Sequence, residues 1–164
     1  MTLDDDARPC VVLDIDGVLA DVRHRLRFVA TSPKNWDGFF AAAPNDDVLD
    51  VGAAFARDAA SSHDIVYLTG RPERTRDDTL DWLRRHNLPA GQLIMRRAGD
   101  RRPAVLTKTQ ALRQIGKERR VDLVVDDDPA VVEAIAKAGF RARLADWMPR
   151  DETLANAQER EGRT

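Results

Sequence analysis

The chain has 164 residues, enough for one domain with a real core and too few for a large second one. Charged residues make up 33% and nearly cancel to a net −2, which excludes a generally basic nucleic-acid coat and leaves room only for local patches. No apolar run approaches the roughly 20 residues of a membrane span, the single cysteine excludes an internal disulfide, and the acidic stretch Met1 to Arg8 has no signal-peptide core, so a cytoplasmic protein away from membranes is expected. Cys10 to Leu13 is an apolar, β-branched run of the kind that makes a buried parallel strand, and it ends in Asp14-Ile15-Asp16-Gly17. Asp21 to Ala43 predicts one or two short helices, broken near Thr31-Ser32-Pro33, and the alanine-rich stretch Val48 to Ala60 a core helix. His63 to Leu68 reads as a second strand, closed by Thr69-Gly70-Arg71-Pro72. Glu73 to His86 reads as a helix with Leu80 and Leu83 facing inward, then Gln92 to Met95 as a short strand. A helix over Ala104 to Ile115 opens after Pro103, with Gly116 near its end. Val121 to Val125 is a further strand, running into Asp126-Asp127-Asp128-Pro129. Ala130 to Ala138 is a helix stopped by Gly139, and Phe140 to Leu144 a last strand. From Arg150 onward the chain is polar, and a frayed helix or disorder is expected.

Strands alternating with helices predict an α/β fold, a mostly parallel sheet covered on both faces. Ligands of such sheets bind beyond the carboxyl ends of the strands. Three strands deliver polar groups there: Asp14 and Asp16, which project the same way along an extended segment, then Thr69, then Asp126 and Asp127. Lys108 lies in a helix between the last two. Singly, each is no more than a turn or cap residue, and Asp128 before Pro129 reads as a helix N-cap. Together they are more than caps, because five carboxylates at one sheet edge repel one another unless a cation neutralises them. An all-oxygen donor set suits Mg²⁺, which often shares its sphere with a substrate phosphate, and the lysine and threonine offer donors to phosphate oxygens. The set points to phosphoryl chemistry.

The order Asp14-x-Asp16-Gly17, Thr69, Lys108, Asp126-Asp127 resembles the four motifs of the haloacid dehalogenase (HAD) phosphohydrolases, from about Cys10 to Trp147. More narrowly it resembles the 3′-phosphatase domain of phage-type polynucleotide kinases. That likeness rests on Arg25 eleven residues after Asp14, on Thr69-Gly70-Arg71, and on Met95-Arg96-Arg97-x-Gly99-Asp100-x-Arg102 leading to Lys108. The resemblance implies a HAD-like Rossmannoid three-layer sandwich over residues 10–149, with a minimal cap inserted at about 21–45, a flexible segment 1–9 and a polar tail 150–164. It implies Asp14 as nucleophile, Asp16 as general acid and base, and Thr69 and Lys108 as phosphoryl-binding catalytic residues. Mg²⁺ would be held by Asp14, the Asp16 carbonyl and Asp126, with Asp127 positioning a metal-bound water or orienting Lys108. Arg25, Gly70 and Arg71 are the expected substrate-binding residues. Ala104 departs from the pattern, which places an acid four residues before the lysine, where it would pair one helical turn away.

So short a cap leaves the site open to the end of a polymer, and DNA or RNA 3′-phosphate ends are the expected substrate. Nucleotides or other small phosphate esters are the alternative, and a non-catalytic end-binding module is a third reading. Between Arg71 and Arg102 nine arginines stand against five acids, a local +4 that suits a nucleic-acid strand. Arg74, Arg84 and Arg85 within it read as a solvated helix face. Trp36, Phe39 and Phe40 have the spacing of cap packing, and His24, His63 and His86 lack ligand spacing. No G-x-x-x-x-G-K-[ST] loop occurs, so no 5′-kinase activity is expected of this chain, and a separate kinase or ligase is a candidate partner.

Overall fold

The computed structural model describes residues 7–149 and 152–163. In chain order its strands are β1 (Cys10–Leu13), β2 (Ala20–Asp21), β3 (Asp47–Val48), β4 (Asp64–Pro72), β5 (Gly91–Arg96), β6 (Val121–Asp126) and β7 (Ala142–Leu144). Its α-helices are α1 (Trp36–Ala41), α2 (Asp50–Ala59), α3 (Arg76–Arg85), α4 (Ala104–Glu118), α5 (Pro129–Lys137) and α6 (Glu152–Asn156). Five strands form one parallel sheet in the order β5-β4-β1-β6-β7. The apolar run Cys10–Leu13 takes the central place because it is buried on both faces. Its period of two divides the core: Val11 and Leu13 pack with Ala53, Ala56, Trp82 and Leu83 from α2 and α3. Cys10 and Val12 pack with Leu112 and Ile115 of α4 and Val131 and Ile135 of α5. Helices on both faces of the sheet make the three-layer α/β architecture expected of a HAD fold.

A small insert follows β2 and returns at β3, the two pairing antiparallel as its neck. The neck is two residue pairs long, too short to leave a periodic signal in the sequence. Between its strands lie a 3-10 turn over Arg23–Phe28 and helix α1, whose Trp36, Phe39 and Phe40 are buried against one another. Helical spacing is enough to explain these aromatics.

Several boundaries differ from the sequence reading. β4 does not end at Leu68 but continues to Pro72, with an irregularity in its register to β5 between Leu68 and Pro72. α4 runs through Gly116 to Glu118, because one glycine costs a helix only about 1 kcal/mol. In α3 the fully buried residue is Trp82, with Leu83 beside it and Leu80 only half-buried. At the end of the chain the helical alternative is present, packed on the cap rather than frayed. Residues 152–161 are helical, and Leu154 and Ala157 pack with Val22, Trp36, Phe39 and Met148. Two small apolar residues in a polar segment suffice because the cap offers them an aromatic surface. Residues 1–6, part of the segment expected to be flexible, lie outside the described residues.

Candidate active site

The carboxyl ends of β1, β4 and β6 meet where the strand order changes direction. Asp14 follows β1, and its amide donates to the carbonyl of Val125, so the two chains leave the sheet side by side. Lys108, on the first half of α4, reaches between them: Nζ donates to Asp14 Oδ2 at 2.8 Å and to Asp126 Oδ2 at 2.6 Å. Asp14 Oδ1 accepts from the Ile15 amide, and Asp126 Oδ1 from the Asp128 amide. Asp14, Asp126 and Asp127 are all buried and each presents a carboxylate oxygen within 4.8 Å of the others. Burial pushes the Asp14 carboxyl up to about 7, the Lys108 charge opposing it and that of Asp126 adding to it. Burial also disfavours the Lys108 ammonium, yet Asp126 and Asp14 hold it above its usual value. Two carboxylates, Asp14 and Asp126, thus share one ammonium, with the Asp127 carboxylate close by. An all-oxygen set with that excess of negative charge fits a hard divalent cation.

Asp16 sits in a different setting two residues on. Its Oδ1 accepts from Arg71 Nε at 2.9 Å, Arg71 Nη2 at 2.6 Å and Arg25 Nη2 at 3.1 Å. Both arginines also bind Asp46: Arg25 Nε and Nη2 at 2.8 Å each, and Arg71 Nη2 at 2.9 Å. His24 Nε2 lies 2.7 Å from Asp46 Oδ1. Burial works against ionisation of Asp16, but the charges of Arg71 and Arg25 outweigh it and hold the carboxyl below its usual value. Asp16 Oδ2 is buried and, among the described residues, accepts no hydrogen bond.

The loop carrying these acids is fixed by close approach. Gly17 has φ +78°, and a Cβ there would fall 2.1 Å from Asp127 Oδ2, so only glycine lets the loop lie on that carboxylate. A Cβ on Gly52 of α2 would stand 1.8 Å from the Val18 carbonyl, so the helix backbone presses directly on the same loop. Thr69 is buried in the late part of β4, its Oγ1 accepting from the Arg71 amide at 3.2 Å.

Asp14, Asp16, Thr69, Gly70, Lys108, Asp126 and Asp127, all anticipated, therefore lie at one end of the sheet. Arg25 and Arg71 are there too, but with 0% and 1% exposure their guanidinium groups are occupied by Asp16 and Asp46. Lys108 takes its orientation from Asp14 and Asp126, and Ala104 is core packing beside Val12 and Leu68. Asp128 caps α5 through the Ala130 amide, as expected. Sequence reasoning missed Asp46. Its only signal was arithmetic: two arginines fixed beside one aspartate need a second anion.

The family described as the polynucleotide kinase PNKP phosphatase domain matches residues 8–143. No curated protein sequence matches the chain. Among solved structures, a chain of "the Pnkp1/Rnl/Hen1 RNA repair complex" is similar with a TM-score of 0.72 and 22% identity. That alignment covers 88% of this chain and 44% of the other, so the chain spans less than half the length of that relative. A class C acid phosphatase from Bacillus anthracis, solved with tungstate bound, has TM-score 0.64, 15% identity and coverage of 93% and 78%. A putative β-phosphoglucomutase from Thermotoga maritima has TM-score 0.54, 17% identity and coverage of 93% and 92%. At these identities the structural likeness speaks for the fold.

Proposed function

Because the chain belongs to the family of polynucleotide kinase PNKP phosphatase domains, and so to the HAD-type phosphatases, we propose that it removes 3′-phosphates from DNA or RNA ends through an aspartyl phosphate on Asp14. The observation that carries this reading is the pair of buried carboxylates two residues apart, Asp14 beside a lysine and Asp16 beside two arginines. Asp14 attacks phosphorus, the bond from phosphorus to the sugar 3′-oxygen breaks, and Asp16 gives its proton to that oxygen. A water then attacks the acyl phosphate, Asp16 takes the water's proton, and the bond to Asp14 breaks to free inorganic phosphate. Arg25 and Arg71 favour the ionised Asp16 that the second step uses. An incoming phosphate dianion adds negative charge nearby and raises the proton affinity of Asp16, which supplies the acid for the first step. Thr69 and Lys108 hold phosphoryl oxygens, where fixed donors stabilise developing charge best.

Asp14, Asp126 and Asp127, with the Asp16 carbonyl, are the groups that would hold Mg²⁺, which would supply the positive charge that lets a phosphate dianion approach Asp14. In this reading Arg25 and Arg71 serve the substrate by holding Asp16. The cap between β2 and β3 is short, which favours a polymer end over an enclosed metabolite. The likeness to a chain of an RNA repair complex is in keeping with a repair setting and with kinase or ligase partners. The test is phosphate release with Mg²⁺ from matched oligonucleotides carrying a 3′- or a 5′-phosphate. Release from the 3′ end alone is expected. Turnover of small phosphate esters with none of either oligonucleotide would overturn the substrate.

A further inference from the structure

We propose that the groove between edge strand β5 and helix α4 carries the nucleic-acid strand leading away from the reacting phosphate, an inference that rests on the substrate reading above. The groove has a volume of about 590 Å³, and Thr69, Gly70 and Lys108 of the active site line one part of it. From there it follows α4, whose Gln110, Arg113, Gln114 and Lys117 recur at the three- and four-residue spacing of one helix face. Across from them are Gln92 and Arg97, at either end of β5. The two acids on its wall are already engaged: Asp100 by Arg102, and Glu118 by the Gln114 amide. Among the described residues, the side chains of Arg97, Arg113 and Lys117 form no ion pair or hydrogen bond, and all three are exposed. Three uncommitted cations therefore line a channel that begins at the phosphate-binding residues, inside a protein of net charge −2. From Lys108 to Lys117 the helix rises about 14 Å, the length of about four stacked nucleotides. The side-chain N–H groups of Gln92 and of Gln110, whose Oε1 accepts from Arg102, suit sugar and phosphate oxygens without reading sequence. Arg113 and Lys117 lie outside the catalytic end of the sheet, so the groove sets affinity for chain length and leaves the chemistry alone.

The experiment compares 3′-phosphorylated di- and octanucleotides, each as single-stranded DNA and as RNA, with p-nitrophenyl phosphate as a probe of the chemistry, in wild type and in the double variant R113Q/K117Q. The wild type is expected to prefer the octanucleotide through KM, on the order of tenfold, and the variant to lose that preference while retaining p-nitrophenyl phosphate turnover. The slope of log(kcat/KM) against log[salt] for the octanucleotide should become shallower by about 1.4, at about 0.7 per single-strand phosphate contact. The charge-preserving variant R113K/K117R should restore the preference. A wild type that turns over both lengths with the same length dependence as R113Q/K117Q would overturn the groove and leave the substrate reading standing. A wild type that hydrolyses p-nitrophenyl phosphate but no oligonucleotide, DNA or RNA, would overturn both.

Discussion

Two groups of buried charges, built around aspartates two residues apart, behave oppositely. Around Asp16, two carboxylates meet two guanidinium groups and the charges cancel. Around Asp14, the one Lys108 ammonium meets two carboxylates, Asp14 and Asp126, and does not balance them. The first group is a closed structure that keeps Asp16 ionised and in place. The second is incomplete, with Asp14 pushed up to about 7 mainly by burial until further positive charge arrives. In the proposed mechanism, the number of cations beside each aspartate makes one a proton carrier and the other a ligand and nucleophile. Ligand binding is expected in the unbalanced group only.

That contrast can be broken from either side. Asp14→Asn should lower kcat by at least about 10³-fold, because no other group in the open cluster is placed to take its role. The variant should melt no lower than wild type, since Lys108 keeps Asp126; steady-state assays and thermal melts check both. Lys108→Met removes the ammonium that bridges Asp14 and Asp126 and should destabilise the protein by about 3–5 kcal/mol in chelator. Mg²⁺ should return a large part of that loss in a denaturant titration, whereas Asp126→Asn should weaken the effect of Mg²⁺ on wild-type stability. Asp46→Asn opens the balanced cluster. Arg25 and Arg71 lose one of their two anchoring charges, Asp16 is displaced, and kcat should fall on the order of 10²-fold. Mg²⁺ should still raise its melting temperature as in wild type. Asp100→Asn, which breaks an exposed pair with Arg102 outside both clusters, should change stability by less than about 1 kcal/mol.

The sheet and the open cluster were legible because their signals are local. Cys10 to Leu13 announces a central strand by composition, and Asp14, Asp126 and Lys108 each stand at the end of a strand or on a periodic helix. The balanced cluster was only half legible. Arg25 and Arg71 stood out at motif positions, but their partner Asp46 is thirty residues from Asp16, in a cap whose neck strands are two residues each. Nothing local marks it as the acid that closes a network. Burial of both guanidinium groups against Asp16 and Asp46 follows from that closure and could not be read from the motif positions alone. The ordered tail was hidden for a similar reason: Leu154 and Ala157 gain an apolar surface only once the cap has folded.

The division of labour between the two aspartates is tested most directly by rapid mixing of each variant with p-nitrophenyl phosphate and Mg²⁺. Its good leaving group needs no proton from Asp16. Asp16→Asn should release close to one equivalent of p-nitrophenol in a burst and then stall, since the acyl phosphate on Asp14 lacks its base, while Asp14→Asn should give no burst. A burst from Asp14→Asn, or none from Asp16→Asn where the fold and Mg²⁺ response are intact, would contradict the account.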